Sequence, residues 1–245
     1  MRTILTIVLA AITAYGSAQT NDVKRVLCIG NSFTFFSDSP QKLVDIAKSE
    51  GHTIEMNAVY VGGYTFNRHL NDLKTISAIE SGRYDYAFLQ DQSQMHARYA
   101  NDTVRFALAK RDTKELAERI RMYSANVNIM LECTWSYTQG DCGGFGTLEN
   151  FDNLLQKGAD LLANDIEAEV SPIGKAFSIA RKNRPDIDLY DPDQKHQSAY
   201  GTYLKSCVNY LLIYHQPFGR NTDSCGLDEE KCSYLRKVAE EVVKP

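Results

Sequence analysis

A serine at the end of an apolar run is the first place in this sequence where chemistry is possible. In "VLCIGNSFTFF", Val26 to Phe36, strand-forming residues end in Gly30-Asn31-Ser32, and aromatics resume at Phe33, Phe35 and Phe36. A serine hydroxyl is a weak nucleophile at neutral pH and needs an adjacent base. Far along the chain, "DQKHQSAYGTYL" places Asp193 and His196 at i and i+3. In a turn entering a helix, that spacing lets one carboxylate fix the imidazole tautomer and stabilise the imidazolium. Asp191 is a rival for the acid role, and the i to i+3 spacing favours Asp193. A tetrahedral oxyanion also needs hydrogen-bond donors. Gly62-Gly63-Tyr64 offers a backbone N–H at Gly63 that a ligand can approach closely. Gln90-Asp91-Gln92-Ser93 offers side-chain amides, with Gln92 and Gln90 as competing choices, and Ser32 adds its own N–H.

These segments act together only if the fold brings them together. Strand signals at Lys24–Ile29, Thr53–Val61, Tyr84–Leu89, Val127–Cys133 and Ile187–Tyr190 alternate with helical patterns. The helices are expected at Pro40–Glu50, Phe66–Ile79, Val104–Ser124, Leu148–Ala168, Ile173–Lys182, Ser198–Tyr214 and Asp228–Val243. Apolar strands separated by helices predict an α/β fold, a three-layer sandwich around a parallel sheet of five strands. Right-handed crossovers then deliver the segments after strands one, two and three to one rim, the carboxyl edge. The longest irregular stretch, Trp135 to Gly146, follows the fourth strand and belongs to the same rim.

The blocks "GNSFT", "GG", "LQDQS" and "DQKHQSAYGTYL" resemble, in order and over nearly all of the chain after its first residues, those of the SGNH (GDSL-like) hydrolases. The resemblance is strongest to a bacterial branch with GNSF in place of GDS. It implies a flavodoxin-like fold and esterase or carbohydrate deacetylase activity, with no metal or organic cofactor. By this similarity Ser32 is the nucleophile, His196 the base and Asp193 its orienting acid. Ser32 and Gly63 are backbone oxyanion donors. Asn31 stands where relatives carry aspartate, and its side chain steadies the turn. The third block departs from the usual Gly-x-Asn-Asp, and Gln92 is mapped to the asparagine. The substrate expected is an acylated carbohydrate or other small ester, with acetyl first. A glycan-binding relic on the same fold and a lipid or thioester hydrolase are the alternatives.

Of 245 residues, 43% are hydrophobic and 24% charged, with a net charge of −4. The chain can bury one large core, and no basic surplus points to nucleic acid. "MRTILTIVLAAITAYGSAQT" has the form of a secretory signal: Arg2, a short apolar run, then small residues before a cleavage site after Ala18. Residues 1–18 are therefore expected to be an export signal to the periplasm or beyond, and 19–245 a single domain with no stable membrane insertion. Export permits disulfides. Cys225–Cys232 is the first pair expected and Cys133–Cys142 the second, while Cys28 and Cys207 read as small buried hydrophobes. No cysteine or histidine spacing supports a metal site. His52, His69 and His215 read as surface or structural residues. His96, in the loop after strand three, Tyr64 and Gln90 are candidate substrate contacts. Trp135, the one tryptophan, is either a packing aromatic or a platform for a sugar ring. Phe33, Phe35 and Phe36 read as core.

Overall fold

The computed structural model describes residues 23–243, so the expected export signal at 1–18 lies outside the described residues. Five strands form one sheet in the order β2-β1-β3-β4-β5. They are β1 (Val23–Gly30), β2 (Thr53–Tyr60), β3 (Tyr86–Leu89), β4 (Asn128–Glu132) and β5 (Glu169–Ser171). Every neighbouring pair is parallel.

The continuous apolar runs follow from burial on both faces, because successive side chains point to opposite sides of a strand. Val26, Cys28, Tyr86, Phe88 and Met130 enter one core, and Leu27, Ile29, Ala87, Leu89, Ile129 and Leu131 enter the other. Helices Ser39–Ser49, Ile173–Asn183, Ala199–Tyr214 and Glu229–Val242 close the first core. Helices Phe66–Leu70, Leu73–Ser81 and Thr103–Tyr123 close the second. The helix Leu148–Asp165 serves both, with Phe151 and Leu155 in one and Leu162 in the other.

Three expectations need correction. The fifth strand is Glu169–Ser171, three residues with no legible alternation, and not Ile187–Tyr190, of which Tyr190 makes only an isolated antiparallel bridge to Gln197. The helix expected over 66–79 is two helices. Asp72 restarts the chain by accepting the Thr75 N–H at 2.9 Å, as an N-cap does. The cysteines are free thiols, so neither Cys225–Cys232 nor Cys133–Cys142 is bonded. Three of the four thiols in those pairs face a nearby carbonyl instead: Cys133 that of Thr134, Cys225 that of Asp223 and Cys232 that of Ser224. Cys142 lies in a left-handed turn formed by Gly140, Asp141, Cys142 and Gly143.

A buried charge pair underlies the rim. Lys205 is the only charged residue of the helix Ala199–Tyr214. Its Nζ donates to Glu132 Oε2 at 2.6 Å and to the Phe33 carbonyl at 3.0 Å. The two side chains are 2% and 3% exposed. Glu132 also accepts from Asn209 Nδ2 at 2.8 Å, and Asn209 Oδ1 accepts from Ser171 Oγ at 2.8 Å. Removing one partner of such a pair leaves an uncompensated buried charge. Lys205→Met is expected to cost about 3–5 kcal/mol in urea unfolding, and Lys205→Met with Glu132→Leu considerably less. Equal losses for the single and double variants would contradict this account.

Candidate active site

β1 ends in a turn that leaves no room for a larger residue. A Cβ on Gly30 would collide with Thr34 Oγ1 and Gln90 Oε1. Gly30 is thus required by close packing, and it is absent from the left-handed positions of the chain. Asn31 caps the helical turn Ser32–Phe35, its side-chain oxygen accepting the Phe33 N–H at 3.2 Å. Asn31 Nδ2 donates to the Tyr64 carbonyl at 2.9 Å and to the Asp91 carbonyl at 3.2 Å. One carboxamide therefore joins the loops after β1, β2 and β3. Ser32 is the first residue of the turn, where a backbone N–H has no partner within the helix.

The fourth segment reaches the same place from the other end of the chain. Ser32 Oγ lies 2.8 Å from His196 Nε2, and His196 Nδ1 lies 2.5 Å from Asp193 Oδ2. Asp193 Oδ1 accepts the N–H groups of Lys195 and His196 at 3.0 and 2.9 Å. Burial works against the Asp193 charge, but the His196 ring and these backbone donors outweigh it and hold the carboxyl below its usual range. Asp191 contributes its backbone to the loop, donating to the His196 carbonyl at 2.8 Å. The Phe36 ring stacks on the imidazole at 4.0 Å and 7°. Gln197 Nε2 donates to the carbonyls of Phe33 and Phe36, each at 3.1 Å. Phe33 is core, whereas Phe35 and Phe36 are only half-buried at the rim.

The second and third loops are braced by residues that the spacing of blocks does not reveal. His69 is fully buried, with Nε2 2.9 Å from the Gly30 carbonyl and Nδ1 2.9 Å from Thr75 Oγ1. Asp91 Oδ1 accepts the N–H groups of Phe66 at 3.2 Å and Gln92 at 2.7 Å, and Oδ2 accepts the Tyr99 hydroxyl at 3.0 Å. Gly63 has a φ of +72° and open space where a side chain would be, the conformation that glycine adopts without strain. Tyr64, next to it, is half-buried with its ring edge on His69.

Several candidates have other duties. Gln90 is buried: its side-chain oxygen accepts from the Asn31 N–H and the Thr34 hydroxyl, each at 3.0 Å, and its Nε2 donates to the Asp91 carbonyl. It braces the serine turn and cannot meet substrate. The Gln92 amide is engaged by its own loop, accepting the Gln94 N–H at 3.1 Å and leaning on Ser93 Oγ at 3.4 Å. His96 is 2% exposed, and burial pushes its imidazole down to about 4. Its backbone packs so tightly on Gly158 that a Cβ there would collide with the His96 carbonyl; it belongs to the helix packing. Trp135 is fully buried, stacked between Phe33 at 4.6 Å and Phe177 at 4.3 Å, so it is no sugar platform. Its indole N–H donates to the Lys195 carbonyl at 3.1 Å, one residue before His196. Among the described residues no group of three or more His, Cys, Asp or Glu could hold a metal ion, and no helix is long and apolar enough to cross a membrane.

No family model matches the sequence, and no curated protein matches it either. The fold does have solved relatives. A DUF4886 family protein from Bacteroides uniformis superposes with a TM-score of 0.79 at 20% identity, over 91% of this chain and 95% of that one. A protein from Slackia heliotrinireducens assigned to the SGNH hydrolases gives 0.61 at 21% identity, over 78% and 100%. An acetylxylan esterase from Geobacillus stearothermophilus, crystallised as a catalytic mutant, gives 0.55 at 11% identity, over 77% and 94%. The chain therefore has the α/β fold of the SGNH (GDSL-like) hydrolases.

Asp91 carries a titration that stability measurements can read. Burial pushes its carboxyl up to about 6, against the pull of the Gln92 N–H, the Tyr99 hydroxyl and the Phe66 N–H. Unfolded, an aspartate titrates near about 3.9. Between those values the folded chain holds a proton that the unfolded chain has released. This contribution to stability is present in full below about 4 and is lost as pH rises through about 6. An asparagine there keeps one acceptor for the two N–H groups and turns its Nδ2 toward the Tyr99 oxygen. Asp91→Asn is expected to be more stable than the parent at pH 8 by about 1–3 kcal/mol, with the gain vanishing near pH 4. Thermal melts at both pH values measure it, and a pH-independent difference would overturn the assignment.

Proposed function

We propose that the protein is an exported serine esterase that removes small acyl groups, acetyl first, from carbohydrate. The observation that carries this reading is the unbroken line from Ser32 Oγ to His196 Nε2 at 2.8 Å, and from His196 Nδ1 to Asp193 Oδ2 at 2.5 Å. In this reading Ser32 Oγ attacks the ester carbonyl carbon while His196 Nε2 takes its proton. The tetrahedral oxyanion is received by the N–H groups of Ser32 and Gly63. The C–O bond to the alcohol then breaks, and His196 returns the proton to the leaving oxygen, which leaves an acyl-serine. A water molecule, deprotonated by His196, attacks the acyl carbon, and Ser32 recovers the proton as the acid departs. Asp193 stays ionised throughout and stabilises the imidazolium. Gln92 joins the oxyanion site only after releasing Ser93 and the Gln94 N–H, so two backbone donors carry that task here.

The carbohydrate assignment draws support from fold relatives such as the acetylxylan esterase. Export rests on the form of residues 1–18. Ser32→Ala is expected to lower turnover of a short-chain nitrophenyl ester by at least about 10³-fold and to abolish labelling by a fluorophosphonate. Unchanged turnover would sink the assignment. Labelling of the parent that requires both Ser32 and His196 separates an esterase from a pure glycan binder. For export, the N-terminal residue of the protein recovered from its native host is expected to be Gln19; a retained Met1 would count against a cleaved signal.

A further inference from the structure

The burial of Trp135 removes the obvious aromatic platform, but another row of rings stands at the rim. β2 is an edge strand, and its last residue, Tyr60, is in register with Gly30. Tyr60 is 42% exposed, and its ring lies 5.4 Å from that of Phe35. Phe35 lies 5.4 Å from Phe36, and Phe36 stacks on His196. The row therefore runs from His196 to Tyr60, from which Val61 leads directly into Gly62-Gly63. Its two ends are the group that would protonate a leaving oxygen and the loop that would receive an oxyanion. In the esterase reading, an ester between His196 Nε2 and the Gly63 N–H has this row beside it, because Phe36 stacks on His196 and Tyr60 is three residues before Gly63.

We infer that Phe35 and Tyr60 form a stacking subsite for the alcohol part of the substrate, and that this part is a neutral pyranose within an oligosaccharide. The inference rests on the esterase reading above and goes beyond it in naming where the sugar binds. Once His196 protonates the leaving oxygen, the carbon bearing that oxygen lies next to the imidazole, and hence next to Phe36. The remainder of the alcohol is led along the row. Aromatic faces carry partial negative charge and attract the polarised C–H bonds on one face of a pyranose. Beyond His196 the row consists of Phe36, Phe35 and Tyr60, none of them charged, which suits a neutral sugar. The Tyr60 hydroxyl adds a polar group at the outer end. Its position on an edge strand leaves, among the described residues, no further strand of the sheet beyond the site, so an extended chain can cross it.

The test compares an acetylated xylo-oligosaccharide with vinyl acetate, an ester with no ring. Tyr60→Ala is expected to lower the ratio of their kcat/KM values about tenfold, close to 1.4 kcal/mol, mainly through KM for the oligosaccharide, and Tyr60→Phe to restore it. In parallel, deacetylated xylo-oligosaccharide is titrated into Ser32→Ala protein by calorimetry, with and without Tyr60→Ala. Weaker binding in the double variant supports the subsite independently of turnover. An unchanged ratio together with unchanged binding would overturn it and leave the esterase reading intact. Loss of vinyl acetate hydrolysis in the parent would remove the esterase reading, while the calorimetric comparison would still decide whether the row binds sugar.

Discussion

The Asn31 carboxamide is the constraint on which the rest of the site depends. Strands of a parallel sheet end side by side, but nothing in the sheet itself ties the loops that follow them. Asn31 does so with both of its polar atoms: the oxygen caps the serine turn, and the nitrogen bridges the carbonyls of Tyr64 and Asp91. The bonds lie largely out of water, where an unpaired amide or carbonyl would cost about 1–3 kcal/mol. The neighbouring braces follow the same logic. Gln90 satisfies the Asn31 N–H, His69 meets the Gly30 carbonyl, and Asp91 holds the N–H groups of Phe66 and Gln92. Each fixes backbone, so the serine turn is set by main-chain bonds and not by the serine side chain.

The histidine loop is held by different physics. It comes from 164 residues further along the chain and is positioned largely by rings. Phe36, four residues after Ser32, lies flat on the imidazole, and Trp135 fastens the Lys195 carbonyl. Gln197 completes the joint by binding the carbonyls of Phe33 and Phe36, and Lys205 holds the Phe33 carbonyl from beneath. The Phe33 carbonyl, adjacent to Ser32, therefore receives two donors, one from the residue after His196 and one from the helix that follows it. Ser32 and His196 are mounted on one shared frame.

What the sequence disclosed followed from strong local signals. Doubly buried strands read as apolar runs, and the serine turn and the glycine pair stand after strands one and two, as a parallel sheet demands, whereas the Asp-x-x-His segment stands before a helix and follows no strand of the sheet. The structure brings Ser32, Asp193 and His196 together, with Asp193 reaching His196 across the i to i+3 spacing. The failures have physical causes. β5 has three residues, too few for any period to show. An amide reads the same whether it faces substrate or braces a turn, which is why Gln90 and Gln92 were open to a functional reading. A lone tryptophan beside a tyrosine in a loop gives no sign that Phe33 and Phe177 will close over both its faces. Lys205 was not singled out at all, although a single charge in an otherwise uncharged helix has to find a buried partner or leave the core.

The burial of Trp135 has an optical consequence. The chain contains one indole, and it is wedged between Phe33, which follows Ser32, and a helix packed against the sheet, with its N–H on the loop of His196. All of the protein's tryptophan emission therefore originates at the joint between the two halves of the site. A spectral shift toward that of hydrated indole would signal that this joint has opened, whether or not the sheet beneath it has melted. The residue thus serves as a built-in gauge of site assembly, distinct from any probe of the fold as a whole.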